Sequence, residues 1–238
     1  MKDSGINPSL FSEIDHRLTA LRPTIPDDVT LIAISKKQPV EAIRAAYELG
    51  LRHFGESRIQ EAIPKQEQLA DLDDITWHFI GHLQSNKAAK ALQHFQWIHS
   101  VHSLKLAQRL NQLLSKAVES GQEVTIPKLC LQVKMMPDPN KSGWDSADLW
   151  HDLSLLSQLS HLDIDGLMTI PPLGQTEANI TNVFAQAREL ARKIQAQNLP
   201  NIPISQLSMG MSGDYSLAIQ EGSTMIRLGR TLFGERTP

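Results

Sequence analysis

The chain has 238 residues, 41% of them hydrophobic and 21% charged, with a formal net charge of −3. That is enough chain for one large α/β domain with a full core, and the charge gives no global attraction to nucleic acid or to an acidic membrane. The single cysteine, Cys130, rules out an internal disulfide and fits a reducing cytoplasm.

The opening residues carry no apolar segment of signal-peptide length, and no later apolar run approaches a membrane span. Apolar positions at Leu10, Phe11, Ile14, Leu18 and Leu21 predict a helix over 8–21, entered through Asn7-Pro8-Ser9. Leu31 to Ile34 is a continuous apolar run, which suits a parallel strand covered on both faces. It runs through Ser35 into Lys36. Pro39 opens a helix that Gly50 closes. Strands follow over 52–55, 75–81 and 96–100, separated by helices over 57–72 and 84–92. The helix over 104–120 is the most clearly amphipathic, with Leu106, Leu110, Leu113, Leu114 and Ala117 on one face. A fifth strand covers 128–133, then a loop over 135–143 and a helix over 146–159. A sixth strand lies within 162–170, with a long helix over 177–197. The seventh strand spans 206–208, a short helix 214–220, and the eighth strand 225–228.

Eight short apolar strands alternating with helices, after one leading helix, predict a single (β/α)8 barrel over residues 1–238. An open doubly wound sheet is the alternative, but no G-x-G-x-x-G follows the first strand. In a barrel all strands aim their carboxyl ends at one face, where ligands bind. That face would collect Lys36, Glu56 and Ser57, His78 and Gly81, Met168 and Thr169, residues 208–213, Arg227 and Gly229-Arg230.

A lysine at a strand end within apolar walls can form an imine with an aldehyde; the plainer reading is a solvated loop lysine. Gly210, Ser212 and Gly213 read as a phosphate cradle at the head of a helix, with turns as the plainer reading. Glu221 to Thr224 precedes the eighth strand and so belongs to the opposite end. The pairs His78/His82 and His99/His102 lack a metal-ligand pattern and read as structural or solvated. No basic stretch interleaves with aromatics in the manner of a nucleic-acid module.

Several motifs together carry a resemblance. They are AISKKQP around Lys36, HFGES at Glu56, WHFIGHLQSNK from Trp77, KSG from Lys141, GLMTIPP from Gly166, SMGMSGDYSLAI from Ser208 and GSTMIRLGRTLFG from Gly222. In them the chain resembles the YggS/PROSC family of pyridoxal-phosphate-binding homeostasis proteins, which are similar in fold to the barrel domain of alanine racemase. The resemblance implies pyridoxal 5′-phosphate (PLP) held as a Schiff base on Lys36. It implies phosphate contacts from Ser212, Ser223, Thr224 and the backbone of Met211 and Gly229, with Arg227 facing the pyridine nitrogen. Ser57 and His78 complete the expected cofactor-binding set. Two positions depart from the family pattern: Ser57 stands where Asn is common, and His82 where Pro is common.

An arginine at the ring nitrogen leaves that nitrogen unprotonated and weakens the ring as an electron sink. The racemase also needs a tyrosine from a C-terminal β domain, and that domain is not expected here. The expectation is therefore a cytoplasmic, monomeric PLP carrier without catalytic residues or metal, handing its cofactor to apo PLP-dependent enzymes. A weak amino-acid racemase or lyase is the alternative. A cofactor-free Schiff-base aldolase acting on a phosphorylated sugar is a third reading.

Overall fold

The computed structural model describes residues 7–235. Residues 1–6, read above as lacking an apolar leader, lie outside them, as do residues 236–238. Helix α1 (Pro8–Leu21) begins as its sequence dictates. Pro8 occupies the first turn, and the Asn7 side chain accepts the Ser9 amide. Strands and helices then alternate: β1 (Thr30–Ile34), α2 (Val40–Glu48), β2 (His53–Glu56), α3 (Ile59–Gln68), β3 (Thr76–Phe79), α4 (Ala88–His94), β4 (Trp97–Val101), α5 (Leu104–Glu119) and β5 (Lys128–Lys134). The second half continues with β6 (Trp144–Asp145), α6 (Ser146–Leu156), β7 (Asp163–Met168), α7 (Glu177–Gln195), β8 (Gln206–Met211), α8 (Tyr215–Gln220), β9 (Met225–Leu228) and α9 (Arg230–Phe233).

All ladders are parallel. They run β4-β3-β2-β1-β9-β8-β7-β5, and β4 also pairs with β5, which closes the ring. The two-residue β6 extends the end of β5 and stands outside the ring. The molecule is thus the expected eight-stranded α/β barrel with an extra N-terminal helix, and the β4–β5 ladder excludes the open sheet. Among the described residues, no helix is long and apolar enough to cross a membrane.

The core has two parts. A large cluster lies between the ring and the helices, where α5 buries Leu106, Leu110 and Leu114, worth about 1.5–3 kcal/mol each against exposure. A smaller one fills the lumen, with Ile32, Ile34, Trp97, Cys130, Met168 and Met225. Cys130 is therefore a core thiol, and burial pushes it above its ordinary range. The lumen also holds a polar strip, because His78, His99, Ser208 and Arg227 are all buried there on β3, β4, β8 and β9.

Three elements differ from expectation. The helix expected over 84–92 opens with a 3-10 turn (Ser85–Lys87) before α4. The chain after β9 adds α9, an element beyond those expected. Strand β8 continues through Met211 instead of stopping at Ser208. Its ladder with β9 shifts register between Ser208 and Met211, and Gly210 sits there at φ +93°. Glycine here marks a bulge inside the strand, not the start of the following loop.

Two outcomes follow from this packing. A Cβ on Gly81 would lie 2.0 Å from the Ser57 carbonyl oxygen, which is backbone and cannot swing aside. Gly81→Ala should destabilise the protein by about 1–3 kcal/mol or more, read as a lowered denaturant midpoint. An unchanged midpoint would contradict the contact. Burial, with His99 and His53 nearby, holds His78 well below its ordinary 6.5, and burial beside Arg227 brings His99 to about 3. Both rings stay neutral in the fold but take up a proton near 6.5 when unfolded. Their contribution is complete above about pH 6.5 and is lost progressively as pH falls toward 3. The Tm should therefore drop between about pH 6.5 and 5, above the range where carboxylates titrate. A flat Tm across that window would contradict it.

Candidate functional site

The site begins with the turn that follows β1. Gln38 N–H returns to the Ser35 carbonyl at 2.9 Å, and Lys37 takes a left-handed φ of +61°. A non-glycine residue holds that conformation only when its surroundings impose it. Here they do. The Lys37 amide donates to the Glu61 carboxylate. The buried Lys65 ammonium donates to the Ser35 carbonyl at 2.8 Å, to Glu56 Oε1 at 2.8 Å and to Glu61 Oε1 at 2.7 Å. Ser35 Oγ adds a 2.8 Å bond to the same Glu56 oxygen. Desolvation pushes the Glu56 carboxyl above its ordinary range against the pull of Lys65. One cation thus knits the ends of β1 and β2 to α3 and fixes the backbone that carries Lys36.

Lys36 lines a cavity of about 380 Å³ at the carboxyl end of the barrel. The same cavity is lined by Met211, Ser212 and Gly213 after β8, by Arg227 and Gly229 of β9 and its loop, and by residues 170–175 after β7. Ser212 Oγ accepts the Thr231 amide at 3.3 Å, which ties the β8 and β9 loops together. Asp214 accepts the Met211 amide at 2.6 Å and holds the turn over 211–214. Burial raises the Asp214 carboxyl. Among the described residues, the amides of Ser212, Gly213 and Gly229 meet no protein acceptor. All three residues line the same cavity, and unpaired backbone donors of this kind can accept an anion. Helices α8 and α9 are short, so these loop amides matter more here than the helix dipole expected from sequence.

Arg227 faces the cavity from below. Its Nη1 donates to Ser208 O and Ser208 Oγ, both at 2.6 Å, and its Nη2 to Thr169 O at 3.1 Å. That leaves Nε–H and one Nη2 proton without a protein acceptor among the described residues. Burial lowers the guanidinium to about 10, still well above neutrality, so it stays charged.

The structure therefore brings together Lys36, Met211, Ser212, Arg227 and Gly229 of the expected set. It does not bring Ser223 and Thr224 to them. The Ser223 hydroxyl lies within reach of the Leu207, Met209 and Met225 carbonyls, nearest Met209 at 2.8 Å. Thr224 Oγ1 accepts the Leu207 amide and donates to Gln206 Oε1, both at 2.8 Å. These hydroxyls are spent on the entry of β8 and β9, and the Thr224 carbonyl takes the first amide of β1. The loop does not fold inward.

Ser57 lines a neighbouring pocket with Arg58, Phe79, His82 and Lys87. His78 sits deeper in the lumen, bonded to His53 and His99. His82, in place of the common Pro, stacks on His102 at 4.4 Å and meets Ser142 Oγ at 3.3 Å, linking the β3 loop to the KSG segment. Among the described residues, no group of three or more His, Cys, Asp or Glu is arranged to hold a metal. Sequence reasoning missed Ser208 and Thr169 as partners of Arg227, and Lys65 as the anchor of the Lys36 turn. No local pattern could have found them, because each pairing joins separate strands or helices.

The chain matches the family model for the alanine racemase N-terminal domain over residues 11–237. It is 46% identical to the pyridoxal phosphate homeostasis protein of Synechocystis sp., over 97% of this chain and 99% of that one. PipY of Synechococcus elongatus, solved with PLP bound, superposes with a TM-score of 0.85 at 54% identity, covering 93% of this chain and all of that one. Alanine racemase of Clostridium difficile superposes at 0.75 with 13% identity, covering 95% of this chain and 58% of that one, which speaks to the fold alone. By sequence and by fold, the chain belongs to the alanine racemase N-terminal domain family, within its pyridoxal phosphate homeostasis proteins.

Proposed function

We propose that this protein binds PLP in the cavity at the carboxyl end of its barrel and serves the homeostasis of that cofactor as a carrier, without turnover of its own. The observation that carries the reading is the opening of Lys36 and Arg227 into one cavity beside bare backbone amides. A PLP-bound relative at 54% identity supports it.

The donors suit the three polar parts of the molecule. Lys36 is the amine for the carbonyl carbon. The amides of Ser212, Gly213 and Gly229, with the Ser212 hydroxyl, suit the phosphate oxygens. The spare N–H groups of Arg227 suit an acceptor, as the unprotonated ring nitrogen is. The cavity lies within the usual range for a small-molecule pocket, about 300–1,000 Å³. When bound, PLP supplies a reactive carbonyl and an electron-accepting ring.

The chain's own residues favour holding over turnover. A guanidinium keeps its protons and so cannot give one to the ring nitrogen. Neither tyrosine lines the cavity. Tyr47 donates to Asp74 Oδ1 at 2.5 Å, and Tyr215 meets Thr24 Oγ1 at 3.1 Å. In this reading the protein works as a single-domain cytoplasmic monomer that passes PLP to apo PLP-dependent enzymes.

Protein incubated with PLP should turn yellow, and borohydride should fix the cofactor's mass on the peptide carrying Lys36. Lys36→Ala should lose that mass while keeping its fold. Label on another lysine, or none, would overturn the assignment. Across a panel of L- and D-amino acids, the loaded protein should turn over nothing above the Lys36→Ala background. Robust turnover abolished by that substitution would make it an enzyme instead.

A further inference from the structure

Three histidines cross the lumen in a row. His53 Nδ1 lies 3.0 Å from His78 Nε2, His78 Nδ1 lies 2.9 Å from His99 Nε2, and His99 Nδ1 lies 2.8 Å from Ser208 Oγ. Ser208 Oγ in turn accepts Arg227 Nη1 at 2.6 Å. His53 is the first residue of β2, half-buried at the amino end of the barrel, whereas Arg227 lies under the ligand cavity.

We propose that His53, His78, His99 and Ser208 form one polarised hydrogen-bond wire, with every imidazole in the Nε2–H form, that serves as the uncharged counterpart of Arg227. Only two arrangements satisfy all these links, and the Cys130 thiol, whose Sγ lies 3.8 Å from His99 Nδ1, can donate in the one and accept in the other. In one, Ser208 O–H donates to His99 Nδ1, His99 Nε2–H to His78, and His78 Nε2–H to His53. In the other, every bond is reversed. The reversed wire aims the positive end of three imidazole dipoles at a buried cation. It also turns the Ser208 proton away from His99, and among the described residues no other acceptor is recorded for it. Both effects select the same direction.

Among the described residues Arg227 hydrogen-bonds no carboxylate; its acceptors are two carbonyls and a hydroxyl, and the one acid that acts on its charge, Asp214, does so across the cavity without a bond. An aligned chain of neutral dipoles stabilises its charge without adding an anion beneath the ligand ring. Trp97 stacks on His78 at 6.0 Å and helps hold the middle of the row. The histidines are positioning residues that act through Arg227. Their bearing on the ring nitrogen rests on the PLP reading above, but the wire itself does not.

The test is histidine side-chain 15N NMR on ligand-free protein near neutral pH. All three rings should show a protonated Nε2 and a bare Nδ1, with scalar coupling across both His–His links. Any ring in the Nδ1–H form, or absent coupling, would overturn the proposal. In Arg227→Leu, which removes the charge, the Nδ1–H form should appear at all three rings in equal proportion, His53 included. A response confined to His99, or no response, would mean that each tautomer is set locally and the wire is not one unit. If that variant does not fold, the wild-type spectrum still decides. A wild-type protein with the expected tautomers that fails to bind PLP would sink the functional reading and leave the wire standing.

Discussion

The ladder between β1 and β9 is the constraint on which the site depends. It pairs Ile32 with Arg227 and Ala33 with Leu228, in parallel. Parallel pairing sends both strand ends to the same mouth, so the turn bearing Lys36 and the loop bearing Gly229 open side by side. Almost the whole chain lies between these strands. The entropy of closing that loop is offset only when the intervening ladders form, so the site exists only in the finished barrel.

Two buried cations flank this ladder and are accommodated in opposite ways. Lys65 is paired with Glu56 and Glu61 and acts as a structural rivet. Removing one partner of such a group costs about 3–5 kcal/mol, because an uncompensated charge is left behind. Among the described residues, the acceptors of Arg227 are all neutral. A carboxylate in its place would quiet the charge more cheaply, but it would also tie up the guanidinium protons and put a negative charge under the ligand. The lumen meets the cation with carbonyls, a hydroxyl and imidazoles, and spare donors remain for the cavity.

The two core regions divide the labour. The outer cluster, between strands and helices, is apolar and carries stability. The lumen mixes aliphatic side chains with a polar strip that costs desolvation unless every group is bonded. That strip explains why strands β3 and β4 carry histidines at positions where hydrophobic residues would pack as well.

By itself, the sequence determined the alternation of strands and helices, the leading helix, and the placement of Lys36 and the glycine loops at strand ends. Those are local facts, written in periodicity, caps and turn residues. The parting of Ser223 and Thr224 from the cavity was half legible, since they precede a strand, yet family resemblance pointed the other way. Only the tertiary structure decided that β8 runs on through a bulge at Gly210, that Lys65 holds the Lys36 turn, and that three histidines from three strands line up in a row whose last member reaches Ser208, the partner of Arg227. These depend on ring closure and on which face of each strand turns inward. A one-residue change of register would send the same histidines to the outer face.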